Sequence, residues 1–499
     1  MKDVRSKMAR GAAWMVGFKL LDRGLALIST LVLARILVPS DFGMIAMAAS
    51  LIAVLDLFGA FGLDVALIQR QGATPEHFNT AWTLNIATSS LIATLMLAFA
   101  WPMSLFYSEP RLTAVVCCLA ISSFVQGFEN IGVVTFRKEM NFHQEFFFLL
   151  GKRIAMVCLT IGLALALHSY WAMVFGMIFG RVTGVALSYA LHPYRPRLSL
   201  AKLHDFFGFS KWVFLQNVLY FLKERSSDFI VGRFAGPHAL GVFNVSAEIA
   251  SMPGTELIAP INRAIVPAYA LLANDPAALR REYLSVMSVV CVVAIPAVTG
   301  IASVAPFLVS AVLGPKWADA SVILALLAFY GIFAALTSNA YSAFLAVGKP
   351  QLFVRITGGY VLLHLPLLTF LAHRYGALGA ACAHLTASGI FLPITFYLIC
   401  RTLDLRVRLM VASTWRPVIA SALMYAVVYM ARPQIDPAET ASLVALRWLA
   451  VLVPLGAVSY VAAMLALWFL AGRPDGGEAM ILRFLERKWR ALAPQRRPP

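Results

Sequence analysis

Long apolar stretches follow one another along this chain with short polar links, and none shows the strand-like alternation of period two. About fourteen are long enough for a helix to cross a bilayer, which takes roughly 20 residues. They cover approximately residues 11–36, 43–69, 79–105, 112–135, 146–167, 170–191, 208–234, 239–269, 283–313, 319–345, 352–372, 376–400, 415–431 and 443–471. Lipid offers backbone groups no hydrogen-bond partner, so such stretches must close their own bonds as helices. The pattern predicts an all-α polytopic membrane protein. It excludes an outer-membrane barrel, whose strands would alternate.

Against this background a few ionised residues stand out by position. The first stretch carries Lys19, Asp22 and Arg23; the seventh carries Lys223, Glu224, Arg225 and Asp228. A charge at the bilayer centre costs roughly 2.5–3.5 kcal/mol on insertion scales, so it persists where it meets water or a partner. Lys19, Asp22 and Arg23 fall on one helical face. Glu224 and Asp228 share a face, and Arg225 reaches Asp228. These seven residues are the candidate substrate-binding set. Asp56, Arg153, Arg181 and Glu256 are secondary cavity candidates. Two readings stand side by side: a polar cavity with a positive lining for an anionic cargo, or ion pairs that glue helices together. Lys152 and Arg153 lie within snorkelling reach of the cytoplasmic face. His364 and His384 read as buried, hydrogen-bonded residues rather than as a proton relay.

Charge also sets topology. Of 499 residues, 60% are hydrophobic and 13% charged, with a net charge of +17. Basic residues gather at the start (Lys2, Arg5, Lys7, Arg10), in every second link and in the tail. That asymmetry puts both termini in the cytoplasm. It also turns the positive charge into a topological signal rather than a sign of nucleic-acid binding. The six cysteines sit in apolar stretches and read as packing residues. No metal-ligand spacing, P-loop or catalytic motif is present, so no cofactor, metal or enzymatic activity is expected.

The chain repeats itself. Arg35, Pro39 and Gly43 recur as Arg233, Pro237 and Gly241, each offset by 198 residues. Each proline ends a helix and each glycine opens the next after a tight turn. Six spans separate the copies, which predicts a parallel repeat about an axis along the membrane normal. The expected organisation is an N-terminal lobe over 1–191 (helices 1–6), a cytoplasmic amphipathic linker over 192–207, and a C-terminal lobe over 208–400 (helices 7–12). Two extra helices follow in 401–471, then a basic cytoplasmic tail over 472–499. Arg35 and Arg233 are expected to anchor their hairpins at the outer interface. Leu200, Leu203, Phe206 and Phe207, and in the tail Ile481, Phe484, Leu485, Trp489 and Leu492 among basic residues, suit helices lying in the headgroup layer.

Gly11 to Trp14, Leu33 to Leu37, Pro39, Asp41 to Gly43 and Ala66 to Arg70 together resemble the polysaccharide transporter family. That family lies within the multidrug/oligosaccharidyl-lipid/polysaccharide flippase superfamily. Phe78 to Ala81 and Phe136 to Phe142 fit the same pattern. The resemblance implies two six-helix lobes around a central cavity. It implies alternating-access movement of undecaprenyl-diphosphate-linked oligosaccharides across the bacterial inner membrane, for exopolysaccharide, capsule or O-antigen. Membrane lipids, a polymerase and a chain-length regulator of the same pathway are the implied partners. Lys19, Arg23, Lys223 and Arg225 match the family's cationic cavity by depth. Two alternatives stay open: a cation-coupled drug exporter, which calls for an acidic cavity, and a membrane glycan polymerase or ligase, which calls for a long outer loop.

Overall fold

The computed structural model describes residues 2–59, 63–70, 72–206, 211–436, 438–474, 476–480, 483 and 486. Sixteen α-helices run through them: α1 (Lys2–Ile36), α2 (Pro39–Gly59), α3 (Leu63–Gln69), α4 (Pro75–Tyr107), α5 (Arg111–Gln126), α6 (Val134–Lys138), α7 (Phe142–Leu167) and α8 (Trp171–Leu191). Then come α9 (Lys211–Pro253), α10 (Ala259–Leu271), α11 (Pro276–Leu308), α12 (Ala320–Thr337), α13 (Ala340–Ala346), α14 (Pro350–Leu403), α15 (Val407–Ala431) and α16 (Ser442–Leu470). No strand occurs among the described residues.

Nine of these segments are long and apolar enough to cross a membrane, and the bent pair Arg111–Gln126 with Ile131–Lys138 makes ten among the described residues. Fourteen is therefore more than length and composition support. The reasons are physical. α1 and α9 are long enough, at 35 and 43 residues, but their charge clusters lower their hydropathy. α14 contains two of the expected stretches, 352–372 and 376–400. Gly376 breaks it with a φ of 58°, which a side chain would resist. A Cβ on Gly379 would overlap the Leu371 carbonyl, so the two halves of α14 turn back tightly on each other.

The chain divides into two compact units, Met1–Gly241 and Val242–Pro499. In the first, α7 packs along α8 and α1, α4 along α5 and α2, and α5 along α8. α8 is built for close approach: Gly176, Gly180 and Gly184 recur every four residues. A Cβ on Gly176 would overlap Thr160 and one on Gly180 would press on Met156, both of α7. In the second unit α11 is the hub, against α12, α15 and α16. Its interior holds the fully buried Trp317, Tyr269, Tyr283, Phe307 and Phe344. α16 instead presents Leu443, Val458 and Leu470 outward, as a lipid-facing helix does.

Within the expected linker, the described residues 192–206 depart from expectation. They form no amphipathic helix. Residues 192–200 hold no regular secondary structure, and only a 3-10 turn, Leu203–Phe206, follows. Pro193 and Pro196 remove the donors a helix needs. The segment is strapped to the start of α4 instead. The Tyr194 hydroxyl lies 2.8 Å from Asn79 Oδ1 and 2.9 Å from the Pro75 carbonyl. Backbone N–H groups of Arg197, Ser199 and Lys202 donate to Asn79, Thr83 and Thr80 at 2.8, 2.9 and 3.2 Å. Phe207 and, in the tail, Ile481, Phe484, Leu485, Trp489 and Leu492 lie outside the described residues.

Candidate functional site

α1 and α7 run in parallel, held by aromatic rings. Trp14 meets Phe146 at 4.9 Å and His143 at 5.2 Å between ring centres, and Phe18 meets Phe146 at 6.4 Å. Gly11 leaves room for the Phe142 ring. This register carries Asp22, two turns beyond Trp14, to Arg153 of α7, with Oδ1 to Nε at 3.1 Å. Next along α7, Lys152 pairs with Glu129 at 3.6 Å and lies over the Phe148 ring at 4.9 Å. Both pairs are partly exposed, so neither is sealed into packing.

They border a cavity of about 240 Å³, lined among others by Asp22, Glu129, Lys152, Arg153, Met177 and Arg181. A second cavity, of about 360 Å³, shares Glu129 and Lys152 with the first and adds Asn85, Ser89, Gln126 and Asn130. Three cations face two carboxylates in the smaller cavity, a mixed-to-positive lining. Asp56 of α2 stands within electrostatic reach of Arg181. The structure thus gathers Asp22, Arg153 and Arg181 of the expected residues. It adds Glu129 and puts Lys152 in the lining. Glu129 was readable as a lone acid within the stretch 112–135; the glycine series on α8 was also in plain sight.

The α9 cluster lines neither of these cavities. Two of its ion pairs lie within the helix: Lys223 to Glu224 at 3.7 Å and Arg225 Nη1 to Asp228 Oδ2 at 3.3 Å. Asp228 is buried, whereas Glu224 and Arg225 are exposed. The Asp228 carbonyl lies 3.4 Å from the Tyr107 hydroxyl, which also meets Ser50 Oγ at 2.9 Å. Lys19 is exposed on α1, and Arg23 is half-buried. Glu256 belongs to the other unit, in the π-turn Gly254–Ile258, with its Oε1 accepting from Thr255 Oγ1 at 3.0 Å.

The repeated hairpins meet each other. A Cβ on Gly43 would overlap the Pro237 carbonyl, and one on Gly241 would overlap the Pro39 carbonyl. The contact is reciprocal, as a local twofold relation between two copies of one motif requires. Arg233 donates from Nη1 to Ser108 Oγ at 2.7 Å and lies 5.9 Å from the Phe106 ring. Arg35 is exposed at the corresponding place in the first copy.

Asn130, at the wall of the larger cavity, belongs to a polar knot. The Asn130 amide donates to the Tyr194 carbonyl at 2.7 Å, and its Oδ1 accepts from the Gly132 N–H at 2.9 Å. His192 Nδ1 accepts from the Tyr194 N–H at 3.1 Å, while Nε2 lies 3.0 Å from Thr135 Oγ1. Burial holds the His192 imidazole below its ordinary range, helped by Arg195 and opposed by Glu139.

These features define a class first: a multi-pass helical membrane protein with a known transporter fold. The solved structure of the lipid II flippase MurJ in an inward closed conformation matches with a TM-score of 0.69, over 93% of this chain and 100% of that one, at 12% identity. An inward-facing multidrug resistance MATE family transporter matches with a TM-score of 0.56, over 76% of this chain and 95% of the other, at 15% identity.

The family described as "Polysaccharide biosynthesis protein" matches residues 32–322, and this chain belongs to it. The lipopolysaccharide biosynthesis protein WzxC of Escherichia coli (strain K12) is 22% identical over 83% of this chain and 85% of its own length. The teichuronic acid biosynthesis protein TuaB of Bacillus subtilis (strain 168) is 27% identical over 65% and 67%. A further relative is named a succinoglycan biosynthesis transport protein, and the fold neighbours are named a flippase and a multidrug transporter, in line with the expectation of a transporter rather than an enzyme.

Proposed function

We propose that this protein moves a polyprenyl-diphosphate-linked oligosaccharide across the bacterial inner membrane by alternating access, with both termini in the cytoplasm. Undecaprenyl diphosphate is the carrier this reading favours. The observation that carries it is the cationic cleft of Arg153, Lys152 and Arg181 inside otherwise apolar helices. A diphosphate brings about two negative charges. Guanidinium and ammonium groups in a low-dielectric cleft replace its lost hydration. Asp22 and Glu129 keep the empty cleft near neutrality, and each can release its cation as the phosphate arrives. The Asn85, Ser89, Gln126 and Asn130 lining suits sugar hydroxyls, while the polyprenyl chain stays in lipid. An inside-negative potential favours outward passage of an anion by about 2.3 kcal/mol per charge per 100 mV.

The relatives' names support polysaccharide as the cargo class. A drug exporter of the same fold calls for an acidic cavity, and the smaller cavity carries more cations than acids. The test uses a strain lacking the gene and complemented with variants. Arg153→Ala combined with Lys152→Ala and Arg181→Ala should leave the protein in the membrane but abolish surface polysaccharide, with lipid-linked oligosaccharide accumulating inside. Full export by the combined variant refutes the cationic route.

A further inference from the structure

The second unit holds a polar group of a different kind. His364 and His384 sit on the two halves of α14, on either side of the Gly376 turn. Eight residues at 1.5 Å each put His384 about 12 Å from that turn, well inside a hydrocarbon layer of about 30 Å. Their ring centres are 4.4 Å apart. Aromatic rings surround them: Tyr360 stacks on His364 at 5.2 Å and 16°, Phe243 stacks on His384 at 6.0 Å and 26°, and Tyr330 tilts against His384 at 5.4 Å. His364 is wholly buried, at 0% exposure, whereas His384 is partly exposed.

Although the sequence reads these histidines as buried, hydrogen-bonded residues rather than a proton relay, we infer that the pair is a proton-binding site that couples proton entry to transport. Two imidazoles with ring centres this close can carry a single positive charge as a pair. They cannot both be charged, because two imidazolium ions at this separation repel strongly where little water screens them. The pair therefore titrates as a unit, from neutral to a single positive charge. Ring faces of Tyr360, Tyr330 and Phe243 stabilise that charge without neutralising it. His384 takes the proton from water and His364 shares it in the sealed interior. A metal is a poor fit: among the described residues no group of three or more His, Cys, Asp or Glu side chains is placed to hold one. Hard cations also want oxygen ligands.

Titratable groups near the pair come from three helices. α12 contributes Tyr330 and the first half of α14 contributes Tyr360. The second half of α14 carries Cys382, and α9 carries Glu248 little more than one turn beyond Phe243. Entry of a proton and exit of an anionic cargo both run with an inside-negative potential, so one electrical driving force serves both movements. The coupling rests on the transport reading above; the proton site does not.

The test therefore has two arms. In the first, full-length protein with nitrogen-15-labelled histidine is placed in lipid vesicles and titrated by magnetic resonance. His364 and His384 should share one titration step and take up one proton. In His384→Phe, His364 should stay neutral across the range. Independent titration of both rings, or two neutral rings from pH 5 to 8, overturns the site. In the second arm, His364→Phe and His384→Phe preserve an aromatic filling, and detergent size exclusion checks that each variant is folded. Each should lower surface polysaccharide about tenfold, within the usual span of coupling effects. The remainder should resist a protonophore that strongly reduces native export. Phe variants with native export and native protonophore sensitivity overturn the coupling. A supported first arm with no polysaccharide phenotype in any variant, including Arg153→Ala, sinks the transport reading and leaves the proton site intact.

Discussion

The charge clusters of α1 and α9 contain the same residue types at similar expected depths, yet they are wired differently. Asp22 of α1 reaches across to Arg153 of α7 and borders a cavity. Two pairs of the α9 cluster close within their own helix, Lys223 with Glu224 and Arg225 with Asp228. A bridge between helices can be exchanged for a ligand, because its two halves are held by separate scaffolds. A pair within one turn travels with its helix and offers its cation at a lasting cost. Charge inside a membrane is therefore not one signal. Its meaning depends on whether the partner is local or distant.

The hairpins that follow the two clusters interlock through Gly43 of α2 and Gly241 of α9, so the largest effect should come there. Gly43→Val and Gly241→Val each force a side chain into a prolyl carbonyl. Each should cost about 3 kcal/mol or more, at the upper end of overpacking in a rigid core. Yield of monodisperse protein and its melting temperature measure this. Because the contact is reciprocal, the two variants should suffer alike; tolerance of one alone breaks the equivalence of the hairpins.

Next in size is the bridge itself. A double-mutant cycle on Asp22→Asn and Arg153→Gln, read by thermal unfolding, should give a coupling of about 1–2 kcal/mol, inside the range for residues in direct contact. The same cycle on Lys223→Gln and Glu224→Gln should give about 0.5 kcal/mol or less, and that remnant should vanish in high salt. Equal couplings in the two cycles erase the contrast between the clusters.

The smallest effect lies in the strap after α8. His192 has its folded-state value below the ordinary 6.5, chiefly through burial. A base depressed on folding stabilises the protein while it is neutral. That contribution is complete above pH 6.5 and declines as pH falls toward the lowered folded value. Melting temperature should therefore drop slightly across that window in native protein. His192→Gln should flatten this part of the profile, and an unchanged profile rejects the assignment.

Much of this architecture was legible because lipid enforces it. Apolar runs had to become helices, so α4, α7, α8, α11, α12, α15 and α16 fall where hydropathy puts them. The Arg-Pro-Gly repeat was visible, and so were Asp22, Arg153 and Arg181 as unusual charges. What stayed hidden was pairing. Glu129 meets Lys152 through packing of α5, α7 and α8 that no spacing along the chain encodes. The linker after α8 read as amphipathic because its apolar residues were weighed and Pro193 and Pro196 were not.

Sequence alone determined that this chain lives in a bilayer, which residues violate that setting, and that one hairpin motif occurs twice. These follow from transfer free energies and backbone chemistry, which act residue by residue. Only the tertiary structure decided that the two hairpins interlock through Gly43 and Gly241, that Asp22 belongs with Arg153, and that two distant histidines share a cage. Such contacts depend on helix register and on the small side chains that let backbones approach, and both are properties of the assembled helices rather than of any one of them.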